Sequence, residues 1–339
     1  MMRAFARAWE FERGPLRIQP ARPKYAVICY HTVGNLEVPY FCRLASELFG
    51  RQIAYLVDHY RVISLEQMFT ELGSGEVHSP AVVITFDDGY RGVFSHAFPI
   101  MKKYGVTATV FLTGDLIEKG EVAWYDRIFS SLIHAEREEI HFAGSSHALT
   151  GTEERIQVAA RLVKHLRAGN DADRRDFCQL LERESPAFAQ ELRNRAMTWG
   201  EVAEMHRAGF HFGCHTMTHP VAARLTREQF LQEVMECKQL IEKRLGTPCI
   251  DFAFPFGKRD ECGGTELLVE AGFRSAMTTE YGINGSETSL FELRRVSSGD
   301  APTVELFAFD LARAMVHGAE KSALGLPELQ GAGRVMSRA

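Results

Sequence analysis

The stretch Val82-Val83-Ile84-Thr85-Phe86-Asp87-Asp88-Gly89-Tyr90 brings two adjacent carboxylates to the end of a mostly apolar run. Its β-branched and aromatic residues predict a buried strand, and Gly89 permits a sharp turn directly behind it. Two neighbouring anions in this position repel each other and lose hydration, which destabilises the fold unless a cation or a proton is bound there. The pattern fits two structures: an ordinary strand end with an Asp-Asp-Gly turn, or a site that uses the carboxylates.

Strands and helices alternate on both sides of this stretch. A strand is predicted before it at Tyr25–Tyr30 and another after it at Thr107–Thr113, with a helix at Ala97–Tyr104 before the latter. Strand, helix and strand at this spacing imply parallel strands joined by right-handed crossovers. Further strands are predicted at Arg61–Leu65, Gly209–Gly213, Ile250–Phe254, Arg274–Thr278 and Leu293–Val296. Helices are predicted at Phe41–Tyr60, at Leu65–Leu72 behind a Ser64 cap, from Thr198 to His206, and at Glu228–Leu245, Glu266–Ala271 and Val304–His317.

The chain divides into a central α/β unit and two flanking segments. Residues 1–23 contain three prolines and are predicted to be irregular, while residues 24–300 form the central unit. Within that unit, residues 126–195 are highly charged with helical apolar spacing, which predicts a helical insertion whose one candidate strand is Glu139–Phe142. The insertion is either a solvated cover for one side or a lid that selects the substrate. Residues 301–339 are predicted to be a helix followed by a loose tail.

Composition excludes several classes of protein. The 339-residue chain is 45% hydrophobic and 24% charged, with a net charge of -5, which is typical of a globular protein without a basic surface for nucleic acid. No stretch approaches the roughly 18 apolar residues of a membrane span, and the first residues lack the apolar run of a signal peptide. The seven cysteines are odd in number and widely spaced, which is typical of reduced thiols. We therefore expect a cytoplasmic protein; the sequence does not indicate its oligomeric state.

Three histidines lie near strand ends. His31 follows the first predicted strand, and a histidine in this position is either structural or catalytic. His215 and His219 are four residues apart behind another strand, so one helical turn would place both imidazoles on one face. Two histidines and one carboxylate form an open metal site of the kind that suits Zn²⁺. His211 lies inside the strand and is expected to be a packed or outward-facing residue.

Three motifs in this order resemble the polysaccharide deacetylase domain, also called NodB-homology or carbohydrate esterase family 4. They are Thr85-Phe86-Asp87-Asp88-Gly89-Tyr90, His215-Thr216-x-x-His219 and Phe254-Pro255-Phe256-Gly257. Tyr30-His31 resembles the branch that includes bacterial poly-N-acetylglucosamine deacetylases. The resemblance covers roughly residues 25–300, without the insertion. It implies a distorted, incomplete (β/α)7-type barrel that binds a divalent metal, with Zn²⁺ preferred and Co²⁺, Ni²⁺ or Mn²⁺ as alternatives.

The resemblance also implies roles for individual residues. Asp87 would be the general base, and Asp88, His215 and His219 would be the metal ligands. The backbone N–H of Phe256 would be an oxyanion donor, which does not require the tyrosine that family members usually carry there. Pro255, Tyr90 and Trp124 are further candidates on the substrate side. Trp124 belongs to a Trp124-Tyr125-Asp126 triplet that either faces the sugar or packs against the insertion.

Two departures from the family pattern concern the proton-transfer residues. The family arginine that orients the base is replaced by Ala253, so Arg294 or Arg295 on the last strand is the candidate substitute. The C-terminal Leu-x-His that supplies the general acid is not apparent. In the Tyr-His branch the N-terminal histidine serves instead, which makes His31 the candidate acid.

Three functions follow from these observations. The first is metal-dependent removal of an N-acetyl group from an amino sugar of a glycan or a glycan precursor, with the N-acetylated sugar as the partner. The second is hydrolysis of a non-sugar amide of the ureide type. The third is a non-catalytic glycan-binding or assembly protein with a relict site, against which the retention of Asp87 argues, because this residue serves only chemistry.

Overall fold

The sheet that carries the Asp-Asp motif is closed into a barrel. In the computed structural model, residues 24–34, 44–76, 79–120, 123–184, 195–297 and 301–317 are described here. The predictions for residues 1–23 and for the tail beyond 317 lie outside these residues. The barrel strands are β1 Tyr25–Tyr30, β3 Ala81–Phe86, β4 Thr109–Leu112, β7 His211–Cys214, β8 Asp251–Ala253, β9 Ser275–Tyr281 and β10 Leu293–Ser297. A short strand, β2 Arg61–Val62, pairs with the start of β3.

All pairings in the barrel are parallel, in the order β1-β10-β9-β8-β7-β4-β3, and the β1–β3 pairing closes the ring. One edge of β3 is fully occupied by β1, from Tyr25↔Ala81 to Tyr30↔Phe86. Its other edge is shared by β2 at the start and β4 at the end. This division of one strand edge between two partners distorts the barrel. The distorted (β/α)7-type fold expected from the motifs is confirmed.

Both faces of the barrel strands are buried, which explains why β3 reads as a continuous apolar run. Alternate residues of β1 and β3, such as Val27 and Val83, pack together in the barrel interior. The intervening residues, such as Ile28 and Ile84, pack with the surrounding helices.

Helices cover the outside of the barrel. They are α1 Ser46–His59, α2 Leu65–Ser74, α3 Phe98–Lys103, α4 Gly114–Lys119, α8 Trp199–Arg207, α9 Arg227–Leu245, α10 Thr265–Glu270 and α11 Val304–His317, with a π-helical segment at Val93–Ala97 before α3. The predicted caps are confirmed: the side chain of Ser64 accepts from the N–H of Gln67, and Thr198 forms a capping box with Glu201. Of the described helices, none combines the length and the apolar character that crossing a bilayer requires.

The described part of the insertion, up to residue 184, contains three helices and a β-hairpin. The helices are α5 Trp124–Ile133, α6 Thr152–Ala168 and α7 Asp171–Glu184, and the hairpin consists of β5 Glu139–Phe142 and β6 Ser145–Ala148. The sequence indicated the first hairpin strand but not the second, because Ser145–Ala148 has no apolar alternation and is mostly exposed. The insertion therefore begins at Trp124, two residues before the predicted boundary.

Candidate active site

The turn after β3 sends the two carboxylates in different directions. Asp88 has a φ of 70° and Gly89 a φ of 97°, so the chain reverses directly behind the strand. Positive φ is uncommon for a residue with a Cβ atom. The carbonyl of Asp88 accepts a hydrogen bond of 3.1 Å from the N–H of Thr113, which holds the turn against the end of β4. As a result, Asp87 faces β10, whereas Asp88 faces the segment that follows β7.

Asp88, His215 and His219 form one buried cluster. Asp88 Oδ1 lies 3.5 Å from His215 Nε2 and 3.3 Å from His219 Nε2. This oxygen makes no regular hydrogen bond within the described residues although it is fully buried. Ligand atoms about 2.0–2.1 Å from one tetrahedral ion are separated by roughly 3.3 Å. The donor set and its spacing therefore fit a divalent cation.

The ring of His215 is oriented by the next strand of the barrel. Its Nδ1 lies 2.8 Å from the carbonyl oxygen of Ala253, so Nδ1 carries the proton and Nε2 presents its lone pair to Asp88. Burial lowers the pKa of His215 to about 4, against the opposing effect of Asp87. The imidazole is therefore neutral near pH 7, which is the form that binds metals.

His219 lies on an irregular loop. The predicted helical turn between the two histidines is therefore wrong. Thr216 and His219 have φ values of 66° and 58°, which a right-handed helix excludes. The carboxylate of Glu233 on α9 accepts the N–H groups of Met217 and Thr218, at 2.9 and 2.8 Å. These contacts outside the segment replace the hydrogen bonds of a helical turn, and the two imidazoles still meet.

Asp87 is paired with Arg295 inside the barrel. The two guanidinium Nη atoms donate to the two carboxylate oxygens, each at 2.7 Å, and Nε donates to the carbonyl of Thr278. Burial raises the pKa of Asp87, but the opposing effects of its neighbours, led by the charge of Arg295, together outweigh burial and hold that pKa well below its usual range. Of the two candidate arginines, Arg295 thus lies against Asp87, whereas Arg294 is exposed.

His31 lies beside Asp87 at the end of the neighbouring strand. The two residues follow the register pair Tyr30↔Phe86, and the N–H of Asp87 donates to the carbonyl of Tyr30 at 2.9 Å. A ring nitrogen of His31, the Sγ of Cys29 and a carboxylate oxygen of Asp87 all lie within 4.8 Å of one another. His31 is partly exposed, while Cys29 is buried. The structure therefore brings His31 within reach of the carboxylates.

The first turn of the insertion donates hydrogen bonds to the cluster of Asp88, His215 and His219. The indole Nε1 of Trp124 donates to the carbonyl of His219 at 3.2 Å, and the hydroxyl of Tyr125 donates to Asp88 Oδ2 at 3.1 Å. Asp126 accepts a short hydrogen bond from the hydroxyl of Tyr90. Burial raises the pKa of Asp126 to about 7. Three consecutive residues thus contact three different residues of the site, namely His219, Asp88 and Tyr90.

These contacts also locate two predicted substrate residues. Tyr90 is 4% exposed, and its hydroxyl donates a hydrogen bond to Asp126. Tyr90 therefore lies behind the cluster of Asp88 and the two histidines. Trp124 is 7% exposed and lies at the junction of the cluster and the insertion. The hydroxyl of Tyr90 and the indole N–H of Trp124 both donate hydrogen bonds within the protein.

The Pro255-Phe256 loop forms the remaining wall of the site. Phe256 has a φ of 62°, and its ring lies edge-to-face against His219 with the centroids 4.9 Å apart. Its backbone N–H has no hydrogen-bond acceptor among the described residues. Pro255 is buried, and its carbonyl accepts from Gly257 at 2.7 Å. The loop is thus held in a turn that leaves one N–H beside the cluster unused.

Sequence reasoning missed two supporting residues. The sequence leaves open whether the triplet that contains Tyr125 faces the sugar or packs against the insertion, and it does not predict the hydrogen bond from Tyr125 to Asp88. The available signal is a polar aromatic residue at the start of the insertion. Glu233 carries no signal of its own, because it is one of several charged residues on a long helix. Its function depends on the loop that packs against that helix.

Comparison with known proteins finds a matching family and proteins of similar fold. The profile of the polysaccharide deacetylase family matches residues 74–275. The YxkH protein of Bacillus subtilis (strain 168), which is grouped with the polysaccharide deacetylases, is 22% identical over 278 residues, covering 80% of this chain and 71% of its own length.

Two solved structures have a similar fold. The Streptococcus pyogenes deacetylase PplD, solved in complex with acetate, has a TM-score of 0.59 and 18% identity, covering 87% of this chain and 99% of PplD. IcaB from Ammonifex degensii has a TM-score of 0.53 and 17% identity, covering 86% of this chain and 99% of IcaB. The family profile spans well over half of the chain and includes the Asp-Asp and both His motif positions. The chain therefore belongs to the polysaccharide deacetylase family.

Proposed function

We propose that this protein is a metal-dependent N-deacetylase that hydrolyses the acetamide of an amino sugar in a glycan or a glycan precursor. The observation that carries the proposal is the buried Asp88 Oδ1, which makes no regular hydrogen bond within the described residues while two imidazole Nε2 atoms lie 3.3 and 3.5 Å away. A buried anionic oxygen in this position is stabilised by a cation. The acetate bound in the PplD structure is in keeping with a reaction that releases acetate.

Asp88, His215 and His219 are the residues that would hold the ion. Two nitrogens and one oxygen with further positions open suit Zn²⁺, and Co²⁺, Ni²⁺ and Mn²⁺ accept the same donors. A bound divalent cation would lower the pKa of a bound water and would polarise a carbonyl group. A weak base at Asp87 is then sufficient for the reaction. Tyr125 and the carbonyl of Ala253 orient two of the three ligands from behind.

Asp87 acts as the base in this proposal. The bidentate contact with Arg295 keeps the carboxylate ionised and fixes its orientation, so both lone-pair directions are defined. Asp87 is not needed as a ligand, because Asp88 already faces the two histidines. It therefore accepts a proton from the attacking water as the acetamide carbonyl becomes tetrahedral.

His31 supplies a proton to the leaving amine. Its ring lies within 4.8 Å of the Asp87 carboxylate and remains partly exposed, which permits contact with a substrate. The N–H of Phe256 is available to stabilise negative charge on the carbonyl oxygen of the acetamide. Proton acceptor, proton donor and oxyanion donor thus come from β3, β1 and the loop after β8.

We place the protein in the cytoplasm on the strength of its thiols. Among the described residues, five cysteines form no disulfide: Cys29, Cys214, Cys237 and Cys249, which are buried, and Cys262, which is partly exposed. Unpaired cysteines are typical of a reducing compartment. Cell fractionation with an antibody to the native protein tests the assignment, and recovery outside the cytoplasm would contradict it.

The proposed reaction is tested by acetate release from N-acetylated amino sugars with and without a chelator. We expect about one divalent ion per chain, with chelator removing both the ion and the activity. The double variant His215→Ala, His219→Ala should lose the ion. Asp87→Asn should lower turnover by roughly 10²–10⁴-fold, the typical contribution of a general base.

A matched control separates chemistry from a general loss of charge. Asp310 is a carboxylate that pairs with an arginine on α11, outside the site. Asp310→Asn should retain full turnover. Unchanged acetate release by Asp87→Asn would refute the assignment of Asp87. Hydrolysis of cyclic ureides without acetate release would favour the non-sugar amide function instead.

A further inference from the structure

The three residues that would hold the metal differ in what orients them. The carbonyl of Ala253 accepts a hydrogen bond from the ring of His215, and the hydroxyl of Tyr125 donates to Asp88. The Nδ1 atom of His219 is buried and has no hydrogen-bond partner within the described residues. Metal-binding histidines almost always use this second nitrogen to fix the ring. The ring of His219 is therefore oriented by other contacts.

The backbone of His219 is held at both of its polar groups. Its N–H donates to Oγ1 of Thr216 at 3.1 Å, inside the same loop. Its carbonyl oxygen accepts two hydrogen bonds from the insertion, one of 3.2 Å from the indole Nε1 of Trp124 on α5 and one of 3.0 Å from an Nη atom of Arg174 on α7. A carbonyl oxygen has two lone pairs, and both are used here. Two separate helices of the insertion thus meet on one atom of the metal-ligand loop.

The two donors also contact each other. The guanidinium carbon of Arg174 lies 5.1 Å from the ring centroid of Trp124, and the two residues are 5% and 7% exposed. Such a cation–π contact is stronger when it is shielded from water. His219 has a φ of 58°, a conformation that is unfavourable for a residue with a Cβ atom and persists only where surrounding contacts hold it. The pair of Trp124 and Arg174 supplies such contacts.

The ring of His219 is enclosed by aromatic side chains that the insertion provides or contacts. The ring of Tyr125 lies edge-to-face against it with the centroids 5.2 Å apart, and the ring of Phe256 does so at 4.9 Å. The guanidinium of Arg167 on α6 lies 4.2 Å from the ring centroid of Phe256 and donates to Glu261, in the loop after β8. Each described helix of the insertion thus contacts His219 or a ring that packs on it.

We propose that Trp124 and Arg174 are positioning residues that orient His219 for the metal through its carbonyl, in place of a hydrogen bond at Nδ1. This inference rests on the proposed metal-dependent function. The insertion is then neither a solvated cover nor a lid that selects the substrate, but a clamp that sets the affinity of the site for its ion. Because such coupling is reciprocal, a bound ion also stabilises the insertion against local opening.

Removal of either donor tests the proposal. Trp124→Phe keeps an aromatic ring and removes the N–H that donates to His219. We expect it to weaken Zn²⁺ binding by about 10–100-fold in competition with a fluorescent chelator, the usual effect of losing a group that orients a metal ligand. Arg174→Met keeps an unbranched side chain and removes the other donor, and Zn²⁺ binding should weaken within the same range.

A second tryptophan–arginine pair provides the matched control. The indole of Trp199 donates to Glu118, and the guanidinium of Arg244 donates to the same carboxylate and lies 5.4 Å from the ring centroid of Trp199. Trp199→Phe and Arg244→Met therefore make the same chemical changes in a pair that is hydrogen-bonded to a side chain rather than to the metal-ligand loop. The Zn²⁺ affinity of both variants should equal that of the wild type.

Hydrogen exchange of the full chain with and without Zn²⁺ measures the coupling in the reverse direction. We expect Zn²⁺ to slow amide exchange in α7 by about tenfold or more in the wild type and by a smaller factor in Arg174→Met. A residue with only a packing role would change exchange equally with and without the ion. Such an equal change in Arg174→Met would overturn the inference.

The outcomes separate this inference from the proposed deacetylation. Equal Zn²⁺ affinity of wild type, Trp124→Phe and Arg174→Met would overturn the inference while the deacetylase function stands. An equal loss of affinity in Trp199→Phe would also overturn it, because the loss would then reflect general destabilisation. Weaker Zn²⁺ binding in the two clamp variants alone, without acetate release by the wild type from any N-acetylated sugar, would support the clamp and refute the deacetylase function. A wild type that binds no Zn²⁺ would refute both.

Discussion

The buried pair of Asp87 and Arg295 allows a quantitative test of the site. Their side chains are 3% and 1% exposed and are joined by two hydrogen bonds of 2.7 Å. Removing one partner of such a pair leaves the other charge buried without compensation, which costs about 3–5 kcal/mol. We therefore expect Arg295→Met and Asp87→Asn each to lower the free energy of unfolding, with Arg295→Met in the full range. That loss corresponds to roughly two to almost four orders of magnitude in the folding equilibrium constant.

The double variant Asp87→Asn, Arg295→Met shows whether the two residues act as a pair. Because neither charge is then left alone, its loss of stability should fall short of the sum of the single losses by about 2 kcal/mol or more. Urea unfolding is measured in the presence of chelator, so that altered metal binding at the neighbouring Asp88 does not contribute. Arg313→Met is the control, because the pair of Arg313 with Asp310 is more exposed and should contribute less than about 1 kcal/mol. Additive losses in the double variant would refute the pairing argument.

The same pair predicts a direction for the pH dependence of stability. The pKa of Asp87 in the folded state lies below its ordinary value of 3.8, so its carboxylate stabilises the fold at pH values above 3.8. This contribution is lost as the pH falls below that value towards the folded-state pKa. The difference in stability between wild type and Asp87→Asn should therefore be constant between pH 7 and pH 5 and shrink below about pH 4. A difference that grows on acidification would contradict the assignment.

Two further predictions concern residues around the cluster. Tyr125→Phe removes the hydroxyl that donates to Asp88 and should weaken metal binding by about 10–100-fold in competition with a fluorescent chelator, whereas Tyr25→Phe, which removes a buried hydroxyl from Glu71 instead, should not. Equal metal affinity of wild type and Tyr125→Phe would exclude a role for Tyr125 in orienting the ligand. His31→Ala should lower kcat by roughly 10²-fold or more while the metal content of the protein stays unchanged. Loss of the ion in His31→Ala would make His31 a structural residue or a ligand rather than the proton donor.

Motif residues and regular elements were accessible from the sequence because each depends on local chemistry. The apolar run before Asp87 predicts a buried strand wherever it lies in the barrel, and the caps at Ser64 and Thr198 form within three residues of chain. The conformation between His215 and His219 was not accessible in this way. Helical spacing predicts one turn, but Glu233 binds the backbone of that segment from another helix.

The choice between Arg294 and Arg295 shows the same limit. Adjacent residues of a strand face opposite sides, so one of them had to face the barrel interior, but which one depends on the register of β10. Pairing with β9 turns Arg295 inward to Asp87 and leaves Arg294 exposed. Ala253 occupies the position where the family arginine was expected, and the guanidinium that contacts Asp87 comes from a different strand.

The apolar run before Asp87 is enough to predict that Asp87 and Asp88 end a buried strand, and the spacing of His215 and His219 is enough to place them behind a later one. Which partner each carboxylate faces depends on the folded chain. The positive φ of Asp88 sends one carboxylate to the histidines, and the barrel register brings Arg295 to the other. A strand end is defined by neighbouring residues of the chain, whereas the groups that stabilise each carboxylate come from residues far away in the chain.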